Sequence, residues 1–339
     1  MPISPTDDDW LAATARLAAR GRPLSRPNPA VGCLIVSQGR IVGRGWTQPG
    51  GRPHAEATAL AEAGDRTRGA TVYVTLEPCA HASARGPTCA ELLAEAAPAR
   101  VVIGGADPDR RTAGAGLARL RAAGIKVDVM PCAAAAASLR GYHAMRTLGR
   151  PHVTLKLAVS ADGFISPGHG ETRWLTSMAA RAHVHAHRAF ADAILVGGAT
   201  WRTDSPRLDV RLRGLAERSP RRLVLTQRDV PPGVTPLRAP RDIFALDGVQ
   251  YLYLEGGASA AAVFMAERLV DRLEIYRAPV MLGAGIAAPD EIAPLSLADA
   301  EARWHLAERR MLGPDSFEAW DCVQSDRHEG WESACSPEL

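Results

Sequence analysis

The sequence predicts two consecutive α/β domains, and three observations carry that prediction. The chain has 339 residues, more than one ordinary core and enough for two. Short β-rich runs alternate with alanine-rich helical stretches, the pattern of helices layered on mostly parallel sheets. Gly149-Arg150-Pro151 then interrupts the alternation near the middle, which places a boundary there. The first domain is expected over 1–148 and the second over 151–325. The polar, unpatterned stretch 326–339 is expected as a disordered tail.

Residues 7–20 read as a helix whose first turn, Asp7-Asp8-Asp9, is acidic, where carboxylates suit the macrodipole. Apolar runs at 31–36 and 40–46 flank Ser37-Gln38-Gly39 and read as a hairpin. Helices are expected over 54–63, 87–97, 116–123 and 133–148, and strands over 71–76, 100–104 and 126–130. In the second half, strands are expected at 153–160, 193–196, 222–226, 251–254 and 272–276. Helices are expected there at 178–190 and 258–267. His183, His185 and His187 carry no zincin-type carboxylate and read as a partly exposed helix face.

Composition excludes several function classes. A net charge of +3, with only five Phe and five Tyr, does not make a nucleic-acid surface. No run of 18 apolar residues occurs, so no membrane helix is expected. The start, MPISPTDDDW, is acidic and lacks the apolar core of a secretory signal. A cytoplasmic, homo-oligomeric enzyme acting on a small molecule is the expectation. Of 40 basic residues only Lys126 and Lys156 are lysine, and Asn28 is the sole asparagine. Residues so scarce are good candidates for a role.

The strongest motif is His54-Ala55-Glu56, followed by Pro78-Cys79 and then Cys89. An H-x-E with a later P-C-x-x-C is the signature of zinc deaminases, although here nine residues and not two separate Cys79 from Cys89. One imidazole and two thiolates fill three positions of a tetrahedral site and leave the fourth to water. Glu56 is then the proton shuttle and not a ligand. The long loop between the cysteines contains His81, Ser83 and Arg85, and Arg85 suits a phosphorylated substrate. A fourth-ligand role for His81 would close the site. Asn28, whose amide can both donate and accept, is a candidate substrate contact, and an Asx turn before Pro29 is the plainer possibility. Cys33 reads as core.

With these residues in view, the chain resembles the bifunctional riboflavin biosynthesis deaminase–reductases. NPAVGC, GRGWTQPGGRPHAE, YVTLEPCAH and ADPDRRTAGAG carry the likeness in the first half. GRPHVTLKLAVSADG, GETRWLTS, DAILVGGATWRTDSPRLDVR, YLEGG and APVMLG carry it in the second. The resemblance covers about residues 7–322. It implies a cytidine-deaminase-like α/β/α domain and a dihydrofolate-reductase-like α/β domain. The implied activity is zinc-dependent deamination of a diamino-ribosylamino-pyrimidinone 5′-phosphate, then NADPH-dependent reduction of its ribosyl chain to ribityl.

By the same resemblance, NADPH contacts fall on Ala158, Trp174, Thr200, Asp204 and the stretch beginning Gly257, Ala258 and Ser259. Substrate contacts of the reductase fall on Thr172, Arg188, Leu208, Arg211 and Glu255. Lys156 joins them, because a charge inside a strand is otherwise costly. Glu255-Gly256-Gly257 follows a strand and precedes a helix, so its backbone N–H groups suit a phosphate; Arg188 and Arg211 suit one too. No GxGxxG follows a strand, so a Rossmann-type site is not expected. The chain departs from the family at Thr47 (usually His), Thr226 (usually Asp), Gln227 and Val280 (usually Lys). The loop from Cys79 to Cys89 is one residue longer than usual. The interval from Arg211 to Glu255 looks shorter by about one strand–helix unit. An active deaminase with a degenerate reductase-like scaffold is the alternative reading.

Overall fold

The computed structural model describes residues 5–81, 86–109, 113–168, 174–289 and 302–323. They fall into two units, one within Met1–Leu148 and one within Gly149–Glu329. The expected tail, 326–339, lies outside the described residues, as do Arg85 and Thr172. No helix among the described residues is long and apolar enough to cross a membrane.

The first unit runs α1 (Asp7–Ala18), β1 (Gly32–Ser37), β2 (Arg40–Trp46), α2 (Ala55–Ala63), β3 (Thr71–Val74), α3 (Cys89–Ala96), β4 (Arg100–Ile103), α4 (Ala115–Ala122), β5 (Lys126–Val129) and α5 (Ala133–Thr147). Its sheet has the order β2-β1-β3-β4-β5. β1 is antiparallel to both neighbours, while β3, β4 and β5 are parallel. The hairpin turns at Gln38 and Gly39, both at positive φ (51° and 72°), as a tight two-residue connection demands. Period-two alternation sorts β1 onto two faces. Cys33 and Ile35 pack with Ala55 and Ala59 of α2, while Leu34 and Val36 pack with Leu11 of α1. The result is an α/β/α sandwich. A Cβ on Gly45 would stand 1.9 Å from the Ala55 carbonyl oxygen, so glycine there lets the start of α2 lie directly on β2.

The second unit runs β6 (His152–Val159), β7 (Phe164–Ser166), α6 (Met178–Arg188), β8 (Ala193–Gly197), α7 (Gly198–Asp204), β9 (Arg221–Leu225), β10 (Val234–Leu237), β11 (Tyr251–Glu255), α8 (Ala258–Ala266), β12 (Arg272–Arg277), β13 (Ile286–Ala287), β14 (Trp304–Leu312) and β15 (Asp315–Cys322). Its main sheet has the order β10-β9-β8-β11-β6-β12-β15-β14, and β7 pairs with β13 apart from it. The first six strands of that order are parallel; β15 and β14 continue antiparallel. α8 packs Ala261 and Phe264 on one face, against Leu155, Leu254 and Leu273. α6 packs Ala180 and Val184 on the other, against Ile194, Tyr253, Tyr276 and Phe317.

Five strands and one helix of this unit lack a counterpart in the expectations: β7, β10, β13, β14, β15 and α7. β10 contains Pro236, which argues against a strand except at a sheet edge, and β10 is an edge. β14 is the other edge and is largely exposed, so it shows little apolar alternation. α7 has seven residues, none of them buried.

The boundary arginine is part of the second core. Arg150 donates through Nη1 and Nη2 to Asp271 at 2.6 and 2.8 Å, and Asp271 also accepts from the Val153 N–H. Both side chains are buried. Arg150→Ala leaves a buried carboxylate unpaired and is expected to cost about 3–5 kcal/mol. A fall in the denaturation midpoint of the second unit measures it; an unchanged midpoint refutes this account of the pair.

Candidate metal centre and cofactor cradle

Two helix starts bring the metal-ligand set together. His54 is the N-cap of α2, and Cys89 is the first residue of α3, whose N-cap Thr88 closes a capping box with Glu91. His54 Nδ1 lies 3.3 Å from Cys89 Sγ and 3.5 Å from Cys79 Sγ. Among the described residues these three form the one cluster with metal-ligand geometry, all donor atoms within 4.8 Å. His81 lines the same cavity but stands outside that set. The donor chemistry fits a zinc ion with one open position.

The electrostatics favour the same reading. The bond from Cys89, helped by the His54 ring, pulls the Cys79 thiol down to about 4. The same bond, with burial, pushes Cys89 up. The two sulfurs therefore differ until a cation draws on both. Glu56, on the first turn of α2, is 3% exposed, and burial raises its carboxyl above the ordinary range. A raised carboxyl is suited to taking and returning a proton near neutral pH.

Asn28 sits where its type suggested and does more than expected. Its Nδ2 donates to the Gly51 carbonyl at 2.9 Å and lies 3.0 Å from His54 Nε2. Gly51 is at φ 85°, and a Cβ there would meet the Asn28 Cγ at 2.7 Å. Asn28 thus stands at the imidazole nitrogen outside the ligand set, and it also lines the cavity. Thr47 lines it as well, but its hydroxyl accepts from the Val31 N–H at 3.0 Å, a structural bond.

The cavity has a second wall that sequence reasoning missed: Glu77, Asp107, Asp109, Tyr142 and Arg146. Glu77 accepts backbone N–H bonds from Asp107, Gly114, Gly116 and Leu117 at 3.0–3.4 Å, holding the loop after β4. The only signal for this wall was the ADPD run, since Tyr142 and Arg146 come from a helix distant in sequence.

In the second unit, the ends of β8 and β11 stand side by side. α7 then sets Trp201 on one face, and α8 packs on the other. The opening between diverging helices is where parallel sheets bind ligands. A Cβ on Gly257 would lie 2.8 Å from Thr200 Oγ1, so glycine there lets α7 approach the start of α8, whose first N–H groups have no side-chain cap. This fits the phosphates of a dinucleotide such as NADPH. Ala158 is half-buried nearer the core, Ala258 begins α8, and Ser259, Asp204 and Trp174 are exposed. Arg181 lies over the Trp174 ring at 5.5 Å.

The substrate candidates cluster around one ion pair. Arg188 donates through Nε and Nη2 to Glu255 at 2.5 and 2.9 Å, and through Nη1 to the Asp209 carbonyl at 2.9 Å. Much of the guanidinium expected to grip phosphate is therefore held by Glu255. Leu208 is buried, and Arg211 is exposed beside Asp209. In register across β11, β6 and β12 stand Glu255, Lys156 and Glu274. Burial lowers the Lys156 pKa, while both carboxylates oppose that shift. Glu274 is itself held at about 2: burial works against its charge, but His187, Arg272 and Tyr253 outweigh it. The histidine face is partly exposed at His183 and His187 and buried at His185, and each ring has a partner. His183 meets Tyr276 at 2.8 Å, His187 meets Glu274 at 2.8 Å, and His185 accepts from the Arg211 N–H. That face of α6 packs on a charged sheet. Of the departures, Thr226 accepts from the Arg228 N–H through its hydroxyl, and Val280 is exposed.

Known proteins match both halves. The model of the cytidine and deoxycytidylate deaminase zinc-binding region matches residues 5–105, and that of the RibD C-terminal domain matches 151–247 and 241–316. The chain is 40% identical over 307 residues to the riboflavin biosynthesis protein RibD of Mycobacterium tuberculosis, covering 85% of this chain and 89% of that one. It is 36% identical over 359 residues to RibD of Escherichia coli, covering 91% and 97%. Among solved structures, Acinetobacter baumannii RibD superposes with a TM-score of 0.81 at 32% identity, over 94% of this chain and 99% of that one.

Proposed function

The chain belongs to the bifunctional deaminase–reductase family of riboflavin biosynthesis, and on that premise we propose how its own residues divide the two reactions. The first unit deaminates the ring of a diamino-ribosylamino-pyrimidinone 5′-phosphate; the second reduces the ribosyl chain to ribityl with NADPH. The observation that carries this reading is the convergence of His54, Cys79 and Cys89 beside the buried, non-ligating Glu56.

His54, Cys79 and Cys89 would hold a zinc ion, which when bound would make a water acidic enough to attack near neutral pH. Glu56 would take one proton from that water and pass it to the ring nitrogen beside the attacked carbon, then take the second proton from the added hydroxyl and pass it to the amine, which leaves as ammonia. Asn28, which lines the cavity beside the His54 ring, is assigned to the substrate, and Arg85 to its phosphate. In the second unit NADPH supplies the hydride. Gly257, Ala258 and Ser259, with Ala158, Trp174, Thr200 and Asp204, are assigned to hold it. Lys156, with up to three N–H donors, is assigned to the sugar together with Thr172, Arg188, Leu208, Arg211 and Glu255. A cytoplasmic homo-oligomer completes the proposal, and sedimentation tests its oligomeric part.

A two-stage assay tests the whole. Purified protein carrying zinc should release ammonia from the pyrimidine substrate without NADPH, and should oxidise NADPH only with the deaminated product. Absence of both zinc and ammonia release would overturn the deaminase. Ammonia release without NADPH oxidation would return the second unit to a scaffold.

A further inference from the structure

The second wall of the deaminase cavity holds two carboxylates whose partners both come from α5. Asp107 accepts from the Tyr142 hydroxyl at 2.7 Å and from the Asp109 N–H at 2.9 Å. Asp109 is paired with Arg146 at 3.3 Å, and the Arg146 guanidinium lies 5.4 Å over the Tyr142 ring. Tyr142 is 5% exposed, Asp107 8% and Asp109 9%. All four line the cavity that contains His54, Glu56 and Cys79. A phenol donor this deep needs an acceptor, and a buried carboxylate needs donors. Here each supplies the other, at the edge of a cavity.

We propose that Tyr142 and Arg146 are positioning residues for deamination, a clamp that fixes the Asp107 carboxylate as the acceptor for ring N–H and amine donors of the pyrimidine. This deepens the deaminase reading and rests on it. An aminopyrimidine presents N–H donors where the ring of a simpler pyrimidine presents a carbonyl, and a fixed carboxylate rewards the former and repels the latter. The clamp also sets charge. Burial raises the Asp107 pKa, the Asp109 N–H and the Tyr142 hydroxyl lower it, Asp109 raises it and Arg146 lowers it. Glu77 accepts from the Asp107 N–H, and Glu56, Arg52, His54, Cys79 and His81 are the other titratable or charged side chains lining the cavity among the described residues. Loss of Tyr142 or of Arg146 therefore moves Asp107 in one direction, upward.

The test compares Tyr142→Phe and Arg146→Gln with the parent, all as the full zinc-loaded chain. Tyr142→Phe keeps ring packing and removes one donor to a charged acceptor, so kcat/KM for ammonia release should fall about tenfold or more, mostly through KM. In both variants the acid limb of the kcat/KM profile should move to higher pH, since Asp107 must lose its proton to accept. Zinc content and NADPH oxidation by the second unit should not change. Parental kcat/KM and an unmoved acid limb in Tyr142→Phe would overturn the proposal. Should Tyr142→Phe lose its folded signal, Arg146→Gln decides, because Arg146 is 43% exposed and tolerates change; an unmoved limb there would equally overturn it. A parent that releases no ammonia would instead refute the deaminase reading itself.

Discussion

Glu56→Gln is expected to keep its zinc and lose deamination by about 10²–10⁴-fold, the range that general acid–base catalysis contributes. The substitution preserves size and leaves His54, Cys79 and Cys89 untouched. Their geometry depends on the starts of α2 and α3 and on Asn28, not on the Glu56 carboxylate. What disappears is a buried group with a raised pKa, the side chain assigned to accept a proton from water and return it to nitrogen. A neutral amide in that place also removes a buried charge, so stability should not suffer. Metal analysis and an ammonia assay decide the matter. Zinc lost in this variant would mean that Glu56 holds the metal; retained activity would assign the proton transfer elsewhere.

Lys156→Met is expected to lower NADPH oxidation by about 10²–10³-fold, the cost of deleting one preorganised donor from a catalytic site. The sheet should survive. Glu255 remains bound by Arg188, and Glu274 remains bound by His187, Tyr253 and Arg272. Neither carboxylate depends on Lys156 alone, and methionine fills a similar volume. Deamination and the affinity for NADPH, read by fluorescence titration, should stay at parental values. An unchanged rate of NADPH oxidation would show that Lys156 only balances charge between two acids.

Local patterns were enough for most of the scaffold. The hairpin at Gln38-Gly39, the helix starting at His54 and the parallel strands all follow from alternation, turn chemistry and capping, which act over a few residues. The metal ligands were legible for a different reason. Few residue types bind zinc, and H-x-E with two later cysteines leaves little else to explain them. β14 escaped because it is an exposed edge with little apolar pattern to read. The histidines of α6 do include a partly exposed pair, His183 and His187, but spacing along a helix identifies a face and not the partners that face meets.

Chain order and residue chemistry by themselves determined two α/β domains and a His-Cys-Cys zinc centre, and put Glu56 forward as its proton carrier. Tertiary structure alone decided that Asn28 meets the His54 ring, that Arg188 is held by Glu255, and that Tyr142 grips Asp107 across 35 positions of chain. The physical reason is one of range. Backbone preferences and ligand types are properties of a residue and its near neighbours. A hydrogen bond between distant segments exists only once packing has brought its donor within about 3 Å of its acceptor.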